Sequence, residues 1–557
     1  MHNKIIVSEL IKSGVRHFLI NTKCSCTPIA LAISKEPLAD ITTHFDERGL
    51  AFHGIGIAKA TNLPSCLVCT SNASIFNLYP AIVEAKLSNI PLIILLTELL
   101  FDTTVFGKHL KFETNIVIKN SLTHYDDIAA IIDHSVYMSL NPPAGPILIN
   151  CIIQDSLYPL NKNENYDIKN ENKPLPKTKY YFYDKILHDD EINYLANELS
   201  LHEKGIIIVG ERQISRLEES IFSLAIKLQW PIFADIQSQL RHVGKDSTII
   251  NFYNQIIQTT SLENKINPDI ILHLGGNIVS ETLLKWLKQL TLKKYYQVTN
   301  FSHTTDLCNL VSDKIEMNQN LFCSKISKIL KWKTPNLWLS FWKAKSLNLE
   351  EIIDTSLNEQ DTLSEISVIH GISSRINEDI SIFFGNNAPI KHANNFFFPN
   401  EKIGQLFANC GSCEVEGSIA LSIGVAKGIK NKVVVVVDYL SFLQDINSLA
   451  ILHKNKTPIT FIVLNNFTDE LPQFQLTSKY SITIKKIAEG FNIQHFCSKS
   501  KKDFLNIFEE CIKINYSNII EVISSNEVNV KFNKEIENYI KNQLIDNKKN
   551  KIFYVTS

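Results

Sequence analysis

The chain has 557 residues, 45% of them apolar and 20% charged, and its 56 Lys and Arg against 57 Asp and Glu leave a formal net charge of −1. That length exceeds one hydrophobic core and suits three ordinary domains, while the balanced charge gives no electrostatic argument for nucleic acid or an anionic membrane as partner. The opening residues Met1 to Leu10 lack a long apolar h-region, and runs such as Pro91–Leu96 and Val433–Val437 fall far short of the ~20 residues of a spanning helix. A cytoplasmic protein that neither enters a membrane nor binds nucleic acid is the expectation.

Three compositional biases bear on any motif in this chain. Glycine is scarce, 19 residues in all, where roughly 7% is usual. Arginine is limited to six positions, 16, 48, 212, 216, 241 and 375, against abundant lysine, so lysine in place of arginine is ordinary drift in this chain. The 11 cysteines, an odd number with no secretory segment, read as reduced thiols.

In chain order, strand-like runs at Val15–Ile20, Ser65–Thr70, Pro91–Thr97 and Gly145–Cys151 alternate with amphipathic helical stretches, the rhythm of a doubly wound α/β domain. A polar run from Leu160 through Pro176 reads as a linker. A helix near His188–Leu199 opens a second layer with strands at Gly205–Gly210, Pro231–Ala234 and Asp269–Gly275, closing near Lys331. The stretch Trp332 to Trp342 leads into a helical connector. A third layer has strands at Ile380–Gly385, Lys432–Asp438, Ile459–Asn465 and Asn518–Ser524, then a helical, charged tail from Glu527. The expected architecture is three tandem doubly wound α/β domains, over residues 1–175, 176–345 and 346–557. The first and third share a rhythm, as a duplicated fold would.

The most informative stretch is His44-Phe45-Asp46-Glu47-Arg48-Gly49, running on through Gly54, Gly56 and Ala58. It places a carboxylate at the mouth of a helix whose small residues permit close packing. An acidic pair at a helix N-terminus is also favoured by the dipole alone, so a purely structural Glu47 fits the same letters. Cys66-Leu67-Val68-Cys69 lies in a core strand where alternate residues face opposite ways and reads as packing. His53, His109, His370, His392 and His453 show no ligand-like spacing and read as surface or core residues.

This stretch resembles the cofactor-activating glutamate motif of thiamine-diphosphate enzymes. The whole chain resembles the family of 2-succinyl-5-enolpyruvyl-6-hydroxy-3-cyclohexene-1-carboxylate (SEPHCHC) synthases, the MenD family. Thr70-Ser71 with Asn77-Leu78-Tyr79-Pro80, Gln229-Trp230-Pro231 and Asn465-Asn466 carry the likeness beside the first motif, in order from end to end. The resemblance implies thiamine diphosphate and Mg²⁺ as cofactors, and a homodimer or homotetramer whose sites combine domains of different subunits. The implied reaction decarboxylates 2-oxoglutarate and adds the carbanion to isochorismate. It implies that Glu47 is the acid that selects the imino tautomer of the aminopyrimidine, which then takes the thiazolium C2 proton. Val415 would wedge beneath the cofactor, and Ser441, Asn465 and Asn466 would contact it.

Mg²⁺ takes hard oxygens in octahedral array, and Asn466 keeps one such ligand. In a gapless alignment the family's metal-binding Asp becomes Tyr439, with Asp438 at the position before it; a one-residue slip makes Asp438 the ligand. The family's glycines beyond fall at Thr468 and Asp469. On the substrate side the positions that pair with anionic groups become Cys24-Ser25, Leu100, His109-Leu110, Glu281, Asn387, Lys391 and Cys410. That leaves Lys391, Asn387 and Ser25 as substrate candidates. Arginine-poor drift accounts for Lys391 and does not account for Leu, Glu, Ser and Cys. Two of these changes create Cys24-Ser25-Cys26 and Cys410-Gly411-Ser412-Cys413, whose four thiols would suit Zn²⁺ if brought together; the alternative is four small buried thiols. Three functions are compatible with these letters. One is a working synthase of the family type, the second is an inactive or repurposed relative acting as a binding or assembly protein, and the third is a thiamine enzyme with a smaller apolar substrate.

Overall fold

The computed structural model describes residues 2–24, 27–69, 72–97, 103–118, 125–153, 174–212, 219–242, 248–260, 266–300, 306, 308–409, 411, 416–466 and 482–551. It divides into two compact units, Met1–Tyr183 with Asn409–Val433 and Leu440–Ile459, and Asp184–Ala408 with Val434–Tyr439 and Thr460–Ser557. Among the described residues no helix is long and apolar enough to cross a membrane.

The first unit is built on a six-stranded sheet of β1 (His17–Asn21), β2 (Asp40–His44), β3 (Ser65–Cys69), β4 (Leu92–Thr97), β5 (Phe112–Ile118) and β6 (Pro146–Ile153). Their order is β2-β1-β3-β4-β6-β5, with parallel pairing throughout. The chain steps first one way and then the other from β1, as a doubly wound sheet must. Ligands in such sheets collect at the carboxyl ends beside that reversal. The central strands β3 and β4 are short runs dominated by Ile, Leu, Val and Cys and buried on both faces, which is why they read as continuous apolar letters. Cys66 and Cys69 are buried within β3, and burial pushes both thiols upward, in agreement with the packing reading.

Helix Glu47–Thr61 crosses this unit against helix Ser418–Ile429. Asp46 caps the former by accepting from the Arg48 N–H at 3.0 Å. Glycines let the two backbones touch: a Cβ on Gly56 would lie 2.0 Å from the Leu421 carbonyl oxygen, and one on Gly424 2.1 Å from that of His53. The His53 side chain is fully buried in the seam, its Nδ1 donating to the Ala420 carbonyl at 3.3 Å. Burial drives its pKa down to about 3, so the ring is neutral. The buried Asp445 accepts from the Ala420 N–H at 2.8 Å and the Ser448 hydroxyl at 2.6 Å. Lys427 donates to Asp40 at 2.8 Å and Thr42 at 2.7 Å, and Arg48 to the Gln444 carbonyl at 2.7 Å.

The second unit carries two sheets. One contains β7 (Gly205–Val209), β8 (Ile232–Ala234), β9 (Ile270–Leu274), β10 (Lys294–Thr299) and β11 (Asp313–Glu316), in the order β11-β10-β9-β7-β8. Trp230 is wholly buried there against Gly205, where a Cβ would fall 2.1 Å from the indole. The tryptophan-rich stretch enters helix Leu337–Glu359, whose Trp342 meets Phe233 edge-on with ring centroids 4.9 Å apart. The other sheet has β12 (Ser381–Phe384), β13 (Leu406–Ala408), β14 (Val433–Asp438), β15 (Ile459–Asn465), β16 (Gln494–Ser498) and β17 (Asn518–Ile523). Its order, β13-β12-β14-β15-β17-β16, repeats strand for strand that of the first sheet, the duplication anticipated from the rhythm. The architecture is three doubly wound α/β layers in tandem.

Sequence placed the long apolar strands within a residue or two. It left out β2, β5, β10, β11, β13 and β16, which are short or polar and owe their pairing to neighbours. Residues 160–173 of the expected linker lie outside the described residues.

Two consequences are testable. Gly56→Ala forces the helices apart, and overpacking of this kind costs roughly 1–3 kcal/mol or more. Gly490→Ala, where a Cβ would meet nothing within 4 Å, is the matched control and should be close to neutral; urea midpoints of the two variants decide. Burial raises the Asp445 carboxyl from 3.8 to about 6. The folded state therefore holds this proton more tightly than the unfolded chain does. Its contribution to stability falls as pH climbs from about 4 to about 6, then stays flat. Asp445→Asn should remove that slope from the pH dependence of the unfolding midpoint.

Candidate functional site

In the first unit the functional candidates gather at the carboxyl ends of β1, β2 and β3. Asn21 ends β1 and works in both directions, its Nδ2 donating to the Phe45 carbonyl at 3.1 Å and its Oδ1 accepting from the Lys23 N–H at 2.8 Å. That clamp brings the Lys23 ammonium to 3.9 Å from Oε1 of Glu47. Glu47 opens its helix and is 6% exposed. Its Oε2 accepts from Asn77 Nδ2 at 3.3 Å. Next to it the buried His44 ring is held below its usual range by burial. Tyr79 reaches His109 Nδ1 at 2.8 Å. A sequestered carboxylate at a helix N-terminus, with one oxygen steadied by an amide, can accept an N–H from a ring and hold or return a proton. The residues at this end fit an aminopyrimidine.

In the second unit, β12, β14 and β15 deliver Asn387, Asp438, Asn465 and Asn466 to the carboxyl edge of one sheet. Asp438 is the last residue of β14. Tyr439 opens the following helix, is 3% exposed, and donates its hydroxyl to the Ile482 carbonyl at 3.0 Å. Burial raises this phenol, so it stays neutral and is spent on a backbone group. Asn465 donates to Glu521 at 2.7 Å, and His495 Nε2 lies 2.9 Å from the same carboxylate. Burial opposes the charge on Glu521, yet the His495 and Asn465 hydrogen bonds hold its carboxyl below the ordinary value.

Asn466 donates to Glu365 at 2.7 Å. Glu365 is itself buried, with His392 Nε2 at 2.9 Å and Asn529 Nδ2 at 3.4 Å, and its own N–H donates to Asn529 Oδ1 at 3.1 Å. Lys391 is ion-paired with Glu281 at 2.6 Å, which lowers the Glu281 carboxyl. Asn387 sits between β12 and helix Ala388–Phe396 at φ 63°, ψ −122°, a backbone region that favours glycine.

Ser441 is fully buried in the first unit. Ser25, Cys26, Leu100, Cys410, Cys413 and Val415 lie outside the described residues, as do Thr468 and Asp469. Among the described residues no group of three or more His, Cys, Asp or Glu side chains could hold a metal ion. For Mg²⁺-diphosphate the described edge of the third sheet offers Asp438 and the Asn466 oxygen. The phenol that stands at the gapless ligand position is turned to Ile482. Mg²⁺ is held by one or two carboxylates, with phosphate oxygens and water completing its octahedron; with a phenol at the gapless position, the carboxylate at this edge would have to come from Asp438. Glu365 and Glu521 were not singled out from sequence. Glu365 follows Ser364 at a helix start, where an acid is unremarkable, and only its fold partners set it apart.

Three family models match the chain in series. The N-terminal thiamine pyrophosphate binding domain covers residues 2–102, the middle domain of thiamine pyrophosphate enzymes 177–384, and the C-terminal binding domain 390–522. Together with the three sheets they define the class, that of thiamine-diphosphate-dependent enzymes. The SEPHCHC synthase of Listeria welshimeri is 27% identical over 83% of this chain and 81% of its own length. That of Chlorobium phaeobacteroides is 27% identical over 96% and 97%. A crystal structure from Mycobacterium smegmatis, assigned as a thiamin diphosphate-dependent enzyme, shares the fold at a TM-score of 0.69 with 14% identity, covering 94% of this chain and 99% of that one. The chain belongs to this family as a divergent MenD-like member.

Removing the Glu365 acceptor would take a partner from three donors, Asn466 and His392, which are partly buried, and Asn529, which is buried. Glu365→Ala should cost roughly 1–3 kcal/mol, and Glu365→Gln less because one acceptor oxygen remains; unfolding midpoints in denaturant check the order.

Proposed function

We propose that this chain is a MenD-like protein that has left the SEPHCHC synthase reaction and persists as a binding or assembly protein, cytoplasmic and self-associating as a homodimer or homotetramer. The observation that carries this reading is Tyr439. Where the resemblance expects a metal-binding carboxylate, a buried neutral phenol bonds Ile482 instead. The rest of that edge supports it, since Asn465, Asn466 and Lys391 are each engaged by a carboxylate of the chain itself. Bound thiamine diphosphate would supply carbanion stabilisation, and a phenol at the gapless ligand position lacks the charge with which a carboxylate would hold its Mg²⁺.

A second reading, a working thiamine-diphosphate transferase, is favoured by one feature. Glu47 retains the burial and the Asn77 contact that an activating acid needs. The two part in an assay of the full chain with saturating thiamine diphosphate, Mg²⁺, 2-oxoglutarate and isochorismate, run beside the Listeria welshimeri synthase. Carbon dioxide release and adduct formation at the level of the blank are expected; turnover comparable with the control would overturn the proposal. Tyr439→Asp should strengthen Mg²⁺-dependent cofactor binding by on the order of tenfold, about 1.4 kcal/mol, measured by calorimetry.

A further inference from the structure

Two helices of the first unit, His2–Lys12 and Tyr125–Leu140, each bury a carboxylate. Glu9 is fully buried and Asp133 is 2% exposed. Nearby side chains satisfy one oxygen of each. The Tyr125 hydroxyl donates to Glu9 Oε2 at 3.0 Å, with Lys12 Nζ 3.3 Å from the same atom, and the Ser13 hydroxyl donates to Asp133 Oδ1 at 2.5 Å. The other oxygens take adjacent backbone donors. The Lys177 N–H meets Glu9 Oε1 and the Thr178 N–H meets Asp133 Oδ2, both at 2.6 Å. Burial then alternates along residues 177–181, with Lys177, Lys179 and Tyr181 exposed and Thr178 and Tyr180 half-buried, the pattern of an extended chain lying on a surface. Tyr180 stacks on Tyr137 with centroids 4.4 Å apart, its hydroxyl 3.3 Å from His134 Nδ1, and Phe182 stacks on the same Tyr137 at 5.4 Å.

We propose that residues 177–182 are a strap, a conformational device with a docked and a released state, and that Glu9 and Asp133 hold it docked. The run that reads as linker up to Pro176 is followed by this bound segment; the first unit ends at Tyr183 and the second begins at Asp184. Docking therefore sets how much free chain joins the two units, and release lengthens it. The segment has no helix or strand of its own, so no backbone ladder fixes it in place. Hydrogen bonds to ionised carboxylates are about twice as strong as neutral ones, and two of them on adjacent amides act as one grip. Losing either loosens both, because the amides are covalent neighbours on one strip of chain. The strap is independent of whether the chain retains any synthase chemistry.

The test is hydrogen exchange of the full chain at neutral pH, read by mass spectrometry with fragmentation that resolves single amides. In the parent, the Lys177 and Thr178 amides should exchange at least roughly tenfold more slowly than in a free peptide of residues 174–183. Asp133→Asn weakens only the acceptor of Thr178, yet it should speed exchange at Lys177 as well, by roughly threefold or more. Tyr180→Ala removes the aromatic anchor from the strap itself, leaves both carboxylates and the helix core in place, and should have the same effect. If Asp133→Asn fails to fold, Tyr180→Ala decides alone. Free-peptide exchange at Lys177 and Thr178 in the parent, or Lys177 protection unchanged in either folded variant, would overturn the proposal.

Discussion

The close approach of helices Glu47–Thr61 and Ser418–Ile429 is the constraint on which the first unit depends. Their backbones meet at Gly56 and Gly424, where no side chain fits, and His53 and Asp445 satisfy hydrogen-bonding groups of the Ser418–Ile429 helix inside the unit. Glu47 is the first residue of one of these helices, so its carboxylate is held by a rigid element rather than by a loop. That rigidity explains how the acid can stay buried, and it serves structure and chemistry alike. A motif preserved for packing would look the same as one preserved for proton transfer.

The second unit settles its polar residues differently. A partly buried amide near a sheet edge favours a partner, because a donor left unsatisfied away from water costs more than the pairing returns. In a site built for substrate the ligand completes the set. Here Glu365, Glu521 and Glu281 complete it from within, taking Asn466, Asn465 and Lys391 respectively. Tyr439 likewise gives its hydroxyl to Ile482. Each of these bonds engages a donor that could otherwise have faced a diphosphate or a carboxylate.

Much of the fold was legible because parallel strands buried on both faces need unbroken apolar runs. Val433–Val437 and Leu92–Leu96 announced themselves that way, and the shared rhythm of the first and third layers became an identical strand order. The polar or short strands β5, β13 and β16 did not, since their pairing is set by neighbours that no local pattern records. The candidate site divides along the same line. Residue types at the altered positions could be read directly, Tyr439, Glu281 and Lys391 among them. Their partners could not, because Glu365 lies 101 positions from Asn466 and Glu281 lies 110 from Lys391. His392 read as a surface or core histidine, and its pairing with a buried carboxylate depends on a fold contact no spacing rule supplies.

The proposed function holds that the pyrimidine end of a thiamine-diphosphate site survives in this chain while the metal-diphosphate end does not. The most direct measurement is calorimetric titration of the full-length protein with thiamine diphosphate, carried out with Mg²⁺ and again with a chelator. A lost metal-diphosphate end predicts that Mg²⁺ makes no difference and that no saturable binding develops in the micromolar range. Saturable, Mg²⁺-dependent micromolar binding would contradict it.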